Sequence, residues 1–411
     1  MTSTSKQGFC ANLELFKNRD FAILWAGNTV SGLGDSIYFI ARIALIINLT
    51  GSALAAGGMT VFGILPTILM SLTGGVLADR FNRQKLVIWS NLARGILMVV
   101  LAWLIYAGLV QFWHLYVVAF INNSFFAISN PAFEAMLPSV VKTEQLKNAY
   151  SAFSIGSNFA QIAGPALAAL LVVISGTQGA MFFNGLSFLV MMCALMLIHP
   201  HVSQVTKQQK TAQIFQDIKE GWNFVQQNNA LVTYIVSTAF INFLLPSIIL
   251  GAPFFITRVL KLDIGWYGAV AVGFNFGTIM GSLIAAILMV KRRGVLLILN
   301  NVLIGVFIIL TFGFTASIWF VVVGMIFIYI NISLFNVIAL TWVQQSSADE
   351  FRGRVFGILS MISYSLTPLG YAVMGYLLDR FDANLVIPVA GLGIVMLGVW
   401  MYSKKEMREL R

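Results

Sequence analysis

Long apolar runs, separated by short polar segments, fill most of the chain. A helix needs about 20 apolar residues to cross a bilayer, and backbone groups in lipid must be bonded within the segment, so each run predicts a membrane-spanning helix. About twelve spans are predicted, in two sets of six. The first set is 21–48, 54–78, 86–107, 113–134, 150–174 and 180–199, and the second is 230–256, 265–290, 295–313, 316–343, 354–377 and 385–403.

The polar stretch 200–229 lies between the two sets. It predicts a domain organisation of 1–199, a cytoplasmic linker 200–229, and 230–411. Within the linker, apolar residues recur at helical spacing, which indicates an amphipathic helix lying on the membrane surface. These residues are Ile214, Phe215, Ile218, Trp222 and Val225.

Composition supports the membrane interpretation, since 59% of residues are hydrophobic and 10% are charged. The net charge of +10 reflects topology: with the N-terminus inside, 20 of the 25 Lys and Arg residues fall in inner segments and 3 in outer ones. This predicts that both termini are cytoplasmic. The basic residues then face anionic lipid, and we expect no nucleic acid partner.

A charged loop motif joins the second and third spans. Gly75 to Arg83 reads G-x-L-x-D-R-x-x-R and resembles the signature loop of the major facilitator superfamily. Other segments resemble the superfamily's branch of macrolide efflux proteins and enterobactin exporters. They include Trp25-Ala-Gly27, Thr50-Gly51-Ser52, Asn130-Pro131-Ala132 and Gly353-Arg354.

The resemblance implies an all-α fold of two six-helix bundles, in the cytoplasmic (inner) membrane of a bacterium. It implies a monomeric secondary active exporter of a bulky amphipathic small molecule, such as a drug, macrolide or siderophore, driven by proton antiport. We expect no enzyme activity, cofactor or metal. A nucleotide-binding loop of the G-x-x-x-x-G-K-[ST] kind is missing from the sequence, so we expect no nucleotide.

An alternative keeps the fold and changes the task. Antiporters of the superfamily often carry an arginine in the fourth helix, and here that position falls at Asn122 or Asn123. An importer, a facilitator or a lipid flippase without proton antiport therefore stays open. A membrane enzyme would need a catalytic cluster and a channel would need a ring of charges or a filter loop, and neither pattern is visible in the sequence.

Asp35 is the leading candidate for proton coupling. It lies about 20 Å along the first helix, and a carboxylate at that depth costs roughly 2.5–3.5 kcal/mol, so it needs a wet cavity or a partner. Arg42 follows seven residues later on nearly the same face. A structural ion pair is the alternative for both residues.

The loop motif implies a gate at the inner face. A carboxylate at Asp79 can cap the start of the eleventh helix through the partial positive charge there. The other residues assigned to this gate are Gly75, Arg80, Arg83, Arg352 and Arg354. The same spacing recurs from Gly375 to Phe381, which we interpret as chance similarity at a helix exit.

Two further sets are predicted within the helices. Arg94 and Glu134, on adjacent antiparallel helices, are expected to form a structural ion pair. Amides in membrane helices usually face the bundle interior, and about half of those here are expected only to bond helices together. The cavity candidates are Asn28, Asn122, Asn123, Asn158, Gln161, Asn242, Asn275, Asn331, Asn336 and Tyr364.

Overall fold

The computed structural model describes residues 15–199, 222–288, 292–314, 317–346 and 352–410, and for 68, 71–80, 143 and 352–354 only the backbone is considered. The first six helices are α1 (Arg19–Thr50), α2 (Ala53–Arg80), α3 (Arg83–Tyr106), α4 (Phe112–Met136), and the two halves of Leu146–Leu197. These halves, α5 (146–175) and α6 (177–197), are separated at Gly176, whose backbone is left-handed (φ 68°). Glycine tolerates this conformation and so marks the break between two spans.

Six more spans follow: α7 (Asn229–Val259), α8 (Trp266–Ile287), α9 (Arg293–Gly313), α10 (Ile318–Ser346), α11 (Arg352–Ser365 with Thr367–Arg380) and α12 (Ala383–Ser403). Prolines interrupt two of them. Pro246 lies two residues after Leu244, where the first segment of α7 ends, and Pro368 lies at the start of the second segment of α11. Proline cannot donate the backbone hydrogen bond that a helix interior needs.

The predicted fold class is confirmed. The part of the chain that the structure describes contains twelve helices whose bounds match the predicted spans to within a few residues. Ten continuous helices there, among them Leu146–Leu197, are long and apolar enough to cross a membrane. Most of the predicted linker, 200–221, lies outside the described residues. Its last residues, 222–226, are helical, and Val225 is buried in a core cluster with Leu231 and Trp342.

Local signals explain where α1 begins and ends. The side chain of Asn18 accepts hydrogen bonds from the backbone N–H groups of Asp20 and Phe21, which caps the first turn. At the other end, Gly51 adopts a left-handed conformation (φ 63°), and its N–H donates to Ile47 O. A glycine in this position terminates many helices.

The chain divides into two compact units, of which one contains α1 and α3–α6 with most of α2, and the other contains α7–α12. The short segment Ser52–Gly58, which includes the first residues of α2, belongs to the second unit although the chain on both sides of it belongs to the first. In the first unit, Phe21, Leu24 and Met191 join a buried apolar cluster. In the second, Leu231, Tyr234 and Trp342 do the same.

Candidate functional site

Asp35 and Arg94 form an ion pair in the interior of the first unit. Arg94 Nη2 lies 3.2 Å from Asp35 Oδ1 and 3.4 Å from Oδ2, so one nitrogen is shared between both carboxylate oxygens. Asp35 lies near the middle of α1, and Arg94 lies eleven residues after the start of α3. Asp35 was predicted to need a wet cavity or a partner at this depth, and Arg94 is a charged partner.

Asn122 on α4 completes this group of residues. Its Oδ1 accepts a hydrogen bond of 3.0 Å from Arg94 Nε. The guanidinium group therefore donates to a carboxylate and to an amide from two different helices. Because its donors form a rigid fork, the two bonds fix the orientation of Arg94 between α1 and α4.

Two aromatic rings enclose the guanidinium group. Its central carbon lies 3.9 Å from the ring centroid of Phe188 on α6 and 5.6 Å from that of Phe126 on α4. Such cation–π contacts partly replace the hydration that a buried cation loses. The Arg94 side chain is 7% exposed, whereas that of Asp35 is 40% exposed. The acid is therefore the accessible member of the pair.

The exposed side of Asp35 faces a polar cavity of about 120 Å³. A cavity of this volume with several polar partners can hold water. Besides Asp35 and Arg94, its polar lining consists of Asn28, Ser31, Asn91, Ser129, Asn130 and Ser157. The acid thus has both a counter-ion and a polar cavity beside it, as a carboxylate at this depth requires.

Close packing places α1 beside α6 at this level. A Cβ atom added to Gly34, the residue before Asp35, would lie 2.6 Å from Asn184 Oδ1 and 2.8 Å from Ser187 Cβ. Only glycine leaves room for this approach. Helix α6 also supplies Phe188, whose ring packs against Arg94. The contact at Gly34 therefore brings Asp35 close to the helix that holds this ring.

The predicted pair of Arg94 with Glu134 is wrong. Glu134 Oε1 instead accepts a hydrogen bond of 3.3 Å from Asn130 Nδ2, one turn earlier on α4. The physical reason is depth. The start of α3 and the end of α4 lie on the same side of the membrane. Arg94 is eleven residues from that start and Glu134 is two residues from that end, so their depths differ by about 13 Å.

Arg42 lies apart from this group. Its guanidinium carbon is 5.4 Å from the ring centroid of Tyr38 and 5.1 Å from that of Phe39. Its Nε is buried and has no hydrogen-bond partner within the described part of the chain. The structure therefore brings Arg94, rather than Arg42, to the Asp35 carboxylate.

The predicted cavity amides divide into several groups. Asn28 lines the polar cavity and Asn122 contacts Arg94. Three amides bond to backbone carbonyls of their own helices: Asn123 to Ala119, Asn275 to Ala271, and Asn331 to Phe327. The others lie as follows: Asn242 donates to Ser363 O, Gln161 donates to Ser157, and Asn158, Asn336 and Tyr364 are exposed.

Two amides of the site, Asn91 and Asn130, are not among the residues predicted from the sequence. Asn91 lies three residues before Arg94 on the same face of α3, a spacing that could have indicated it. Asn130 belongs to a segment that was singled out only for its family resemblance. No His, Cys, Asp or Glu cluster suited to a metal is found among the described residues.

Most of the predicted gate lies outside the described side chains, namely Gly75, Asp79, Arg80, Arg352 and Arg354. Arg83 is described, and its Nη1 donates a hydrogen bond of 3.1 Å to Ala135 O on α4. This bond joins the start of α3 to the end of α4.

The chain is similar to known proteins over nearly its whole length. Residues 11–410 match the family model described as transmembrane secretion effector. The macrolide efflux protein A of Streptococcus pyogenes is 23% identical over 402 residues, which cover 95% of this chain and 97% of that protein. The multidrug efflux pump Tap of Mycolicibacterium fortuitum is 25% identical over 400 residues, which cover 94% of this chain and 96% of that protein.

Solved structures show the same architecture. A crystal structure of the nucleoside transporter NupG superposes with a TM-score of 0.73, covers 95% of this chain and all of that chain, and is 13% identical. A bacterial homologue of the lysosomal transporter Spinster superposes with a TM-score of 0.69 at 15% identity, over 94% of this chain and 96% of that one. At such identities the likeness concerns the fold alone.

Proposed function

Because the chain belongs to the transmembrane secretion effector family of the major facilitator superfamily, we propose that it is a proton-driven exporter of the bacterial inner membrane. It moves a bulky amphipathic molecule out of the cytoplasm by alternating access. The similar proteins named for macrolide and multidrug efflux support export as the direction. The observation that carries the proton-coupled mechanism is the Asp35–Arg94–Asn122 group beside a polar cavity.

Protonation of Asp35 is the coupling step in this proposal. A proton on the carboxylate removes its charge and weakens its attraction to Arg94, which changes the interaction between α1 and α3. Breaking a fully buried pair costs about 3–5 kcal/mol, and an exposed pair is worth about 0–1 kcal/mol. With one partner 7% exposed and the other 40%, this pair lies between those limits. Its rupture is therefore large enough to bias a conformational equilibrium and small enough to be reversed.

Arg94 takes the place of the fourth-helix arginine in this scheme. That arginine is absent from the sequence, and Asn122 is one of the two residues at its position. Here the cation comes from α3 and donates a hydrogen bond to Asn122. Arg94 thus supplies the positive charge that the missing fourth-helix arginine would have supplied. This supports proton antiport over a facilitator.

The charges inside the spans favour an uncharged or anionic substrate. When residues within five positions of a helix end are left out, the helices contain one acid, Asp35, and two cations, Arg42 and Arg94. A permanent cation would meet a net positive interior, most strongly after Asp35 accepts a proton. We therefore expect neutral or acidic amphiphiles, whose acceptor groups suit the Nε–H of Arg42, which has no partner among the described residues.

The remaining predictions belong to the same proposal. Asp79 and the arginines around it act as the gate at the inner face, both termini are cytoplasmic, and the protein functions as a monomer in contact with membrane lipid. Amides such as Asn28 and Asn242 contribute to the substrate pocket together with aromatic residues. An arrangement of this kind is usual for sites that bind large, mostly apolar ligands.

A growth assay tests the function. Cells that lack the protein and cells that overproduce it are exposed to a panel of neutral, acidic and cationic antibiotics and siderophores. We expect overproduction to protect against a neutral or acidic member, and Asp35→Asn to abolish that protection. Asp382→Asn, which changes an exposed acid with no capping bond, is the matched control and should protect like the wild type.

Transport in proteoliposomes separates antiport from facilitation. The compound found in the panel is followed with and without an inward proton gradient. Antiport predicts that the gradient drives the labelled compound against its concentration, and that Asp35→Asn retains exchange but loses this drive. Equal efflux of the labelled compound from the vesicles with and without the gradient would instead establish a facilitator.

A further inference from the structure

The second copy of the loop-motif spacing has a structural partner. Gly375-Tyr-Leu-Leu-Asp379-Arg380-Phe381 was expected to be a chance match, but Asp379 binds the start of α2. Its Oδ1 accepts a hydrogen bond of 2.6 Å from the backbone N–H of Ala53, and its Oδ2 accepts one of 3.2 Å from that of Leu54. The hydroxyl of Ser52 also donates to Oδ2. Asp379 therefore has a structural partner that the interpretation as chance similarity did not include.

The position of Asp379 is unfavourable for its own helix. It is the next-to-last residue of α11, and a negative charge is disfavoured at the C-terminal end of a helix, where the carbonyl groups point outward. The N-terminus of a helix, in contrast, favours a negative charge, because its first N–H groups have no partner within the helix. The start of α2 offers such groups to Asp379. The interaction with α2 therefore accounts for an acid at this position.

Two glycines allow the helices to approach at the same place. A Cβ atom on Gly375 would lie 2.9 Å from Ala53 O, and one on Gly57 would lie 2.5 Å from Tyr371 O. Tyr371, Gly375 and Asp379 follow one another at intervals of four, so they lie on one face of α11. This face meets the first two turns of α2 through backbone contacts and ends at the capping carboxylate.

The segment held by Asp379 has an unusual place in the chain. Ser52–Gly58 packs with the second unit, while the residues before and after it belong to the first. The end of α1, the start of α2 and the end of α11 share one side of the membrane, opposite the termini, because each odd-numbered span ends there. A movement of the first unit that draws α2 with it must break these bonds.

We propose that Asp379, with the glycine contacts at Gly57 and Gly375, forms a latch on the side opposite the chain termini that must release when the transporter opens to that side. The proposal rests on the alternating-access function proposed above. α2 and α11 share the pattern G-x-x-x-D-R-F around their last residues. The gate proposed at Asp79 would be the counterpart of this latch on the opposite face of the membrane.

Hydrogen exchange tests whether the cap holds the start of α2. The reconstituted full-length protein is compared with Asp379→Ala, Asp379→Asn and the control Asp382→Asn. We expect faster deuterium uptake in peptides covering residues 52–58 for Asp379→Ala, and a smaller increase for Asp379→Asn, because an amide oxygen still caps a helix. Uptake in Asp379→Ala equal to that in Asp382→Asn would overturn the latch.

Thiol labelling tests whether the latch controls opening. Ala53 is fully buried, so a cysteine placed there by Ala53→Cys, in a background with Cys10→Ser and Cys193→Ser, reports release of the segment. We expect an impermeant maleimide to label it several-fold faster with Asp379→Ala, and Ser52→Ala to give a smaller increase with less risk to folding. Unchanged labelling in both variants would contradict the proposal. Neither assay uses a substrate, so failure of the latch would leave the exporter function untouched.

Discussion

The two units use buried polar groups differently. In the first, Arg94 joins α1, α3 and α4 through an acid and an amide, and the group borders a polar cavity. In the second, Asn301 joins α7, α9 and α12 by donating to Ser237 Oγ (3.4 Å) and Met401 Sδ (3.0 Å), and all of this group is neutral and buried.

This difference separates a site that can titrate from one that only holds helices together. Both groups connect three helices, but only the charged one changes when a proton binds. Helices α8, α10 and α12 carry no charged residue at all. Under the proposed function, proton coupling is confined to the first unit, whereas the Asn301 group of the second unit connects helices.

The largest effect is expected from Arg94→Met. The variant leaves the Asp35 carboxylate without its counter-ion, which should lower the free energy of unfolding by about 2–3 kcal/mol. This is less than for a fully buried pair, because Asp35 is 40% exposed. Denaturation of the purified protein in detergent measures this, and transport should be lost. Arg94→Lys keeps the charge but not the forked geometry, so it should recover more stability than transport. Full activity in Arg94→Met would contradict the assigned role.

Asn122→Ala should have the next largest effect. It removes the acceptor of a hydrogen bond from a charged group, worth about 1.5 kcal/mol. The pH profile of transport should change as well, because Arg94 loses one of its two anchors. Asn123→Ala is the matched control, since within the described part of the chain that amide bonds only to Ala119 O of its own helix. Equal effects of both variants would remove Asn122 from the site.

Asn301→Ala probes the neutral group of the second unit. Hydrogen bonds between membrane helices contribute about 0.6 kcal/mol on average, so a small loss of thermal stability is expected. The pH dependence of transport should not change. The neighbouring Asn300 is equally buried, but its Nδ2 has no partner in the described chain, so Asn300→Ala should cost less stability. A shifted pH profile of transport in Asn301→Ala would contradict the distinction between a titrating group in the first unit and a neutral group in the second.

Most of the fold could be predicted from the sequence because the membrane limits the choices. Run length alone predicts each span, and the depth of Asp35 in α1 predicts that it needs a partner. The identity of that partner could not be read from helix order, since it depends on how α1, α3 and α4 rotate about their axes. The depth difference between Arg94 and Glu134, however, could have excluded the predicted pair.

The role of Asp379 was hidden for a related reason. Sequence periodicity shows which face of α11 is apolar, but not that the first turn of α2 meets its last turn. Both belong to spans separated by more than three hundred residues. The repeated G-x-x-x-D-R-F spacing was visible, and only the bonds to Ala53 and Leu54 distinguish a cap from a coincidence.

The most direct test of the central claim asks whether Asp35 exchanges a proton within the membrane. Infrared difference spectra of the reconstituted protein between acidic and alkaline pH report the protonated carboxyl groups. We predict a band from a carboxyl group in the membrane interior that Asp35→Asn removes and Asp382→Asn retains. Spectra that are identical for the wild type and Asp35→Asn would show that this acid does not titrate, and would contradict proton coupling at the Asp35–Arg94 pair.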